Sequence, residues 1–245
     1  MALLSNITGA SRSLRVLARL LSYPDAQLRG DLADMRQALR SESAIAPVRM
    51  MELEQLMFSL EQRNPLDLEA DYVELFDRGH ATSLHLFEHV HGDSRDRGPA
   101  MIDLTQTYEK AGLFLASGEL PDYLPVVLEF VSTQPNKEAR AFLSEMAHIF
   151  NAIFSALQSR ETPYAAVLGA LLELSGEKAQ PVKVVADEAM DDSWEEPEVF
   201  GGCSVKGQGK PGQAQPIHFV KTDAGQTRAS ATTSTSTSTS NGASL

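Results

Sequence analysis

The sequence predicts an all-α protein: a single helical-bundle-like domain of about eight helices, followed by a disordered C-terminal tail. Three observations support this prediction. Apolar side chains recur three and four residues apart through most of the chain before residue 176, as on one face of a helix. No segment has the sustained apolar and polar alternation that is typical of a strand. Prolines and glycines fall between the periodic segments, where helices begin and end.

The N-terminal part of the chain is predicted to form four helices. The first covers residues 11–22 with Ser11 as its N-cap, and the fourth opens at Asn64-Pro65, a cap followed by a proline. The second and third cover residues 25–39 and 47–63. Their apolar stripes are, in order, Leu14, Leu17, Ala18 and Leu21; Leu28, Leu32, Met35 and Leu39; Met50, Leu53, Leu56, Met57 and Leu60; and Leu68, Tyr72, Leu75 and Phe76.

Residues 1–24 contain three arginines and no acid, a composition that organellar transit peptides share. The alternative is the first helix of the domain. The apolar stripe favours that helix, because a stripe of this period is what a buried helix needs.

Four more helices are predicted after Pro99. They cover residues 101–115, 120–131, 135–160 and 163–174. Pro125 is tolerated because it lies in a first turn, where a missing N–H has no partner inside the helix. The third of these is predicted as one unbroken helix, the longest of the chain. Ser175-Gly176 ends the last one.

Composition and charge exclude some functions. The net charge is −12, which argues against binding nucleic acid or an anionic membrane surface, since both need a basic face. The single cysteine, Cys203, allows no internal disulfide. No membrane-spanning helix is predicted, because the longest apolar stretch, residues 141–157, contains Glu145 and His148.

The sequence divides into three parts by composition. Residues 1–176 are the helical domain, and residues 177–200 are an acidic segment around Trp194. Residues 182–190 of that segment are compatible with a short helix. Residues 201–245 consist largely of Gly, Pro, Gln, Ser and Thr and are predicted to be disordered, because they offer too little apolar area to offset the entropy of ordering.

Residues 71–103, here called the histidine-rich stretch, are the least ordinary part of the chain. Four of the six histidines lie there. Regular helical periodicity stops for about twenty residues within it, and long connections are uncommon unless they are functional. We therefore expect the functional site in or beside this stretch.

One chemistry to consider there is metal binding. His85, His89 and His91, followed by Asp93, could hold Zn²⁺, with Glu88 as a general base, as in a metal-dependent hydrolase. The order H-E-x-x-H is missing, and histidines at helical spacing are more often structural. The alternative to an enzyme is a peptide-binding protein, in which apolar helix faces form a groove and surface carboxylates meet basic residues of the guest.

Several segments then identify a family resemblance. They are Tyr72-x-x-Leu75-Phe76-Asp77-Arg78-Gly79, Phe87-Glu88-His89-Val90-His91-Gly92-x-Ser94-Arg95-Asp96-Arg97-Gly98, and Leu120-Pro121-Asp122-x-Leu124-Pro125. Weaker matches lie at residues 20–24, 187–189 and 194–196. Over residues 12–200 the chain resembles the NarJ-type redox-enzyme assembly chaperones, which are similar in fold to the TorD and DmsD chaperones.

The resemblance implies a cytoplasmic, non-enzymatic chaperone with a role in nitrate assimilation. It would bind the apo α subunit of respiratory nitrate reductase transiently, within the αβ complex and including the N-terminal segment of that subunit. It would hold no cofactor permanently, but would assist insertion of a molybdenum–bis(pyranopterin guanine dinucleotide) cofactor and delay membrane assembly. Proteins of molybdenum cofactor biosynthesis are further partners to consider.

No catalytic or metal-binding residue is predicted under this interpretation. The candidate client-binding residues are Tyr72, Phe76, Asp77, Glu88, His89, His91, Asp103, Leu120, Pro121, Asp122 and Tyr123. Asp77, Glu88 and Asp122 are the candidates to meet basic groups of the client. We expect Tyr72 and Phe76 to pack, and His89 and His91 to hold the stretch or to contribute to the groove. Arg95 and Arg97 are expected to pair with nearby acids.

Overall fold

The computed structural model describes residues 9–92 and 94–180. Within these ranges the chain forms ten α-helices and no β-strand, so the all-α prediction is confirmed. The helices are α1 (Ser11–Leu20), α2 (Ala26–Glu42), α3 (Pro47–Gln62), α4 (Pro65–Tyr72), α5 (Leu86–Val90), α6 (Arg97–Lys110), α7 (Leu124–Thr133), α8 (Asn136–Glu145), α9 (Ala147–Ser159) and α10 (Ala165–Ser175). Among the described residues, none of the helices combines the length and the apolar composition that a membrane span requires. The expectations for Asp93, for the acidic segment after residue 180 and for the tail lie outside the described residues.

The core forms around α10, which packs against α9, α8 and α3, while α1 packs against α7 and α2. Nine of the eleven residues of α10 are buried, which fits a helix that is apolar on all sides. Gly176 ends α10 in the left-handed region at φ 85°, as predicted from its position after Ser175.

The predicted helix faces of α1, α2 and α3 are confirmed with one partial exception. Every predicted stripe residue of these three helices is buried, except Met50, which is half-buried. Asp25 caps α2 by accepting a hydrogen bond from the Leu28 N–H at 2.7 Å. Asn64 caps α4 in the same way by accepting from the Leu66 N–H at 2.9 Å.

Ser11 is not the N-cap of α1, so that prediction was wrong. Ala10 holds the cap position, and no side chain bonds there. The Ser11 hydroxyl instead donates to the carbonyl of Ser132 at 2.6 Å and links α1 to α7. The Ser11 hydroxyl therefore bonds to a residue that is distant in the sequence and does not cap its own helix.

The long helix predicted over residues 135–160 is two helices, α8 and α9, separated at Met146. No proline or glycine marks the break. The Ile149 N–H bonds to the Met146 carbonyl at 2.9 Å rather than to Glu145, and the Nδ1 atom of His148 lies 3.1 Å from the Glu145 carbonyl in its place. The apolar side chains keep their helical spacing across the break. The spacing therefore does not reveal the change in backbone hydrogen bonding.

The predicted boundaries of three helices need correction. The helix α6 begins at Arg97, two residues before Pro99, because a proline in the first turn removes no helical hydrogen bond. It ends at Lys110 instead of Leu115: Gly112 adopts φ 78°, and the Leu113 N–H bonds back to the Tyr108 carbonyl at 3.0 Å. The helix α7 begins at Leu124 rather than at residue 120, and α10 begins at Ala165, two residues after Pro163.

Candidate peptide-binding site

The histidine-rich stretch is less irregular than predicted. A π-helical turn, Val73–Asp77, continues α4, and a 3₁₀ turn, His80–Thr82, follows it. The short helix α5 comes next, and α6 begins within the stretch at Arg97. The stretch is therefore a series of short folded elements and not a single loop.

The turn at Gly79 is closely packed. The Thr82 hydroxyl donates a hydrogen bond to the carbonyl of Leu75 and lies 3.2 Å from the carbonyl of Gly79. A Cβ atom at residue 79 would lie 2.8 Å from the Leu75 carbonyl oxygen and would also meet the Thr82 hydroxyl. Glycine is needed here for close approach, since the φ of −94° is open to any residue.

Asp122 is the centre of the site and has no exposed surface. Its Oδ2 atom accepts a hydrogen bond from the Phe87 N–H at 3.2 Å, and its Oδ1 atom lies 3.4 Å from Nδ1 of His85. Arg97 approaches Oδ2 at 3.8 Å, and the Asp122 carbonyl accepts from the Leu86 N–H at 3.0 Å. The buried charge is thus balanced by cationic groups and by a backbone donor, as burial of a carboxylate requires.

The hydrogen bond to Asp122 raises the pKa of His85 above its ordinary value, although partial burial opposes that change. The backbone reinforces the contact. His85 and Tyr123 form an isolated antiparallel bridge, and the Leu124 N–H donates to the Leu84 carbonyl at 2.8 Å. The first turn of α7 is therefore fastened to the start of α5.

The three histidines considered as metal ligands have three different neighbours. His85 lies at Asp122, the Nε2 atom of His89 is 2.9 Å from the Ser83 carbonyl, and the His91 ring lies against Phe87 at 5.3 Å between centroids. Within residues 9–92 and 94–180, no three His, Cys, Asp or Glu side chains form a group that could hold a metal ion. The described residues thus offer the hydrolase alternative no ligand set.

Tyr72 and Phe76 are core residues with ring centroids 4.8 Å apart, as expected for packing residues. The Tyr72 hydroxyl donates to the Leu21 carbonyl at 2.7 Å. A hydroxyl has one hydrogen, so in the 3.1 Å contact between the two hydroxyls Tyr123 is the donor to Tyr72. Burial raises the pKa of Tyr72, which keeps this hydroxyl protonated.

An apolar groove of about 380 Å³ lies beside the segment that contains Asp122. Its lining comes from the end of α6, the segment after α6, α7 and Arg15 of α1, and includes Leu113, Phe114, Leu115, Val126, Glu119, Glu129 and Phe130. Tyr108 links the groove to the segment that contains Asp122. Its ring lies 4.8 Å from that of Phe130, and its hydroxyl donates to the Pro121 carbonyl at 2.8 Å.

The groove presents an aromatic side chain to solvent. Phe114 lines it and is 80% exposed. Glu119 and Glu129 are exposed at its edge, and Arg15 is held by a hydrogen bond to the Ser132 hydroxyl at 3.1 Å. An aromatic ring left in water beside carboxylates is a feature of a surface that binds an apolar and basic partner.

The predicted site residues separate by burial. Asp77, Asp103 and Leu120 are exposed; Glu88, His89, His91 and Tyr123 are half-buried; and Tyr72, Phe76, Pro121 and Asp122 are buried. Arg97 lies 3.5 Å from Glu88, which agrees with the expected pairing. None of the predicted site residues lines the groove. The available signal was Leu113-Phe114-Leu115, three consecutive apolar residues beside Gly112.

The helices of this chain form an open apolar groove beside a buried cluster of charged side chains. Such a surface is typical of a protein that binds other molecules. The family model described as nitrate reductase delta subunit matches residues 25–169. The chain belongs to that family.

Its relatives carry more specific names. The chain is 43% identical over 196 residues to the nitrate reductase molybdenum cofactor assembly chaperone NarJ of Escherichia coli K12, covering 76% of this chain and 83% of that protein. It is 40% identical to the probable assembly chaperone NarW of the same organism, with 76% and 82% covered. Identity to the probable NarJ of Bacillus subtilis is 32%, with 68% and 90% covered.

Proposed function

We propose that this protein is a non-enzymatic chaperone that binds the catalytic α subunit of a nitrate reductase before the molybdenum cofactor is inserted. The observation that carries the proposal is the open apolar groove with its exposed Phe114. The names of the relatives identify nitrate reductase as the client to test first.

The groove suits an amphipathic segment of the client, such as the N-terminal segment of the α subunit. A guest helix would lay its apolar side on Phe114, Val126 and Phe130. Basic residues at its edge would meet Glu119 and Glu129, and the acidic surface of the chain would favour their approach. The aromatic anchors supply affinity, and the carboxylates supply orientation.

The candidate residues then take different roles. Asp77, Asp103 and Leu120 have the exposure that direct contact with the client requires, and Glu88, His89, His91 and Tyr123 retain part of it. Buried Asp122, Tyr72, Phe76 and Pro121 act indirectly, by holding the first turn of α7 and Tyr108 in the positions that form the groove.

Release of the client follows from a difference in the affinity of the chaperone for two states of the client. A chaperone that prefers the apo αβ complex stabilises it only by its difference in affinity for the two forms. Insertion of the molybdenum–bis(pyranopterin guanine dinucleotide) cofactor would bury or reshape the recognised segment, and the chaperone would leave without retaining the cofactor. Binding in the cytoplasm before this step would delay attachment to the membrane, and cofactor biosynthesis proteins could approach the same complex.

Co-purification tests the identity of the client. The full-length tagged chain is recovered from cells that express nitrate reductase, with and without a functional pathway for cofactor synthesis. We expect the α subunit to be the main partner, and to be recovered in larger amounts from cells that cannot make the cofactor. Phe114→Asp should reduce recovery in both strains. Recovery of no nitrate reductase subunit in either strain would overturn the proposal.

A further inference from the structure

Helix α3 is apolar on two opposite faces. One face, with Leu53, Leu56, Met57 and Leu60, is buried in the core. The other exposes Val48, Met51 and Phe58, which are 71%, 63% and 61% exposed. At about 100° per residue, these three and Gln55 fall within about 80° of one another on the helix surface. We call Val48, Met51, Gln55 and Phe58 the α3 stripe.

The charges beside the α3 stripe are paired within the chain. Arg40 of α2 binds Glu54 at 2.6 Å, and Arg36 binds Glu61 at 2.5 Å. On the other side of α3, Arg49 binds Glu173 at 3.1 Å. The stripe is therefore an uncharged surface with a balanced border, on a chain whose net charge is −12. It lacks the surplus carboxylates that would attract a basic client segment, which distinguishes it from the apolar groove.

The spacing of the α3 stripe is symmetric about residue 53, because its members are three, four and three residues apart. If two copies of α3 pack antiparallel across a two-fold axis at that point, Val48 meets Phe58 of the second copy and Met51 meets Gln55 of the second copy. A small side chain then faces a large one, which favours close packing. An isologous contact of this kind requires a self-complementary surface.

The border charges fit the same symmetry. Glu54 is one residue from the midpoint, so the axis places the two Arg40–Glu54 pairs side by side. Arg40, which has 63% of its side chain exposed, can then reach Glu54 of the second copy as well as its own. Four alternating charges replace two separate pairs, which offsets part of the repulsion between two acidic chains.

We propose that the α3 stripe is the contact surface between two copies of this chain, packed antiparallel through α3. The exposed apolar side chains of one helix supply less than the roughly 800 Å² per partner of a standard interface. The dimer is therefore weak, and it forms and dissociates with concentration.

Sedimentation velocity of the full-length chain from about 1 to 300 μM tests this inference, a range that brackets the micromolar affinity of a small interface. We expect the weight-average mass to rise toward that of a dimer. Phe58→Lys should weaken association at least tenfold, while Leu66→Lys, which changes a 74% exposed leucine outside the stripe, should not. A monomer at every concentration would overturn the proposal, including the case in which another segment of the same chain covers the stripe.

Cysteine cross-linking tests the orientation. In a Cys203→Ser background, an equimolar mixture of Val48→Cys and Phe58→Cys chains should form the mixed disulfide under mild oxidation. Val48→Cys alone should form little, because antiparallel packing separates the two copies of residue 48 by about 15 Å along the helices. Efficient Val48→Cys homodimers without the mixed product would contradict the antiparallel arrangement. Thermal unfolding of each variant checks that the fold is retained.

Discussion

The Oδ2 atom of Asp122 accepts a hydrogen bond from the backbone N–H of Phe87 at 3.2 Å, where Asp122 has no exposed surface. This bond joins the short helix α5 to the segment that leads into α7. Because α7 and Tyr108 line the apolar groove, the buried carboxylate couples the histidine-rich stretch to the proposed binding surface.

Replacing Asp122 should destabilise the fold. Asp122→Ala leaves the Phe87 N–H without its acceptor and removes the anion beside His85 and Arg97, so we expect a loss of about 3 kcal/mol in the free energy of unfolding. Asp122→Asn keeps an acceptor oxygen and should lose less. Urea denaturation measures both. The control is Asp103→Asn on the exposed side of α6, which should stay within about 0.5 kcal/mol of the parent. Equal, small effects at both positions would mean that the contacts of Asp122 do not stabilise the fold.

Stability should depend on pH through His85. Its pKa is raised in the folded state by the hydrogen bond to Asp122, so protonation favours folding. That contribution is complete below the unfolded pKa of about 6.5 and is lost as pH rises through the higher folded value. We therefore expect His85→Gln to lower the free energy of unfolding more at pH 5.5 than at pH 8.5. A difference that is constant over this range would contradict the prediction.

Gly79→Ala should destabilise the turn between the π-helical segment and the 3₁₀ segment. The added methyl group would meet the Thr82 hydroxyl and lie 2.8 Å from the Leu75 carbonyl oxygen, so we expect a cost of about 1–3 kcal/mol. Gly98→Ala is the matched control: nothing lies within 4 Å of its Cβ position in α6, and stability should be unchanged or raised by up to about 1 kcal/mol. Thermal and urea unfolding compare the two, and equal behaviour would argue against close packing at residue 79.

Phe114→Asp should weaken client binding without loss of stability. The side chain is 80% exposed, so its replacement removes little burial from the fold but places a charge in the groove. We expect at least a tenfold rise in Kd, about 1.4 kcal/mol, for a synthetic peptide with the sequence of the client's N-terminal segment, measured by calorimetry. Leu66→Asp, on the exposed side of α4, should bind the peptide like the parent chain. Equal Kd values for the two variants would exclude Phe114 from the binding surface.

Much of the fold could be predicted from periodicity and caps. The stripes of α1 and α2 and the cap Asn64 are local signals, and they were enough to predict those elements. The break at Met146 and the role of Ser11 could not be predicted in this way. Both depend on hydrogen bonds that a residue spacing does not specify, with Ser132 as the distant partner of Ser11.

The sequence predicts the candidate site in the histidine-rich stretch, and client binding by these residues stays a prediction. The histidine-rich stretch does hold the network, and the motif containing Asp122 does meet the motif containing Phe87. The sequence alone does not show whether a charged side chain is buried, so Asp122 was expected among the residues that contact the client. The groove itself combines residues from α1, α6 and α7, and only tertiary packing brings Arg15, Phe114 and Phe130 together.

The proposed chaperone should bind the client more tightly before cofactor insertion than after it, and one affinity comparison tests this preference. The full-length chain is titrated against the nitrate reductase catalytic subunit purified without its cofactor and against the same subunit loaded with it, by surface-immobilised binding at fixed salt. We predict at least tenfold tighter binding to the cofactor-free form, and loss of that preference in Phe114→Asp. Equal affinity for the two forms would remove the thermodynamic basis for release and contradict the proposed function.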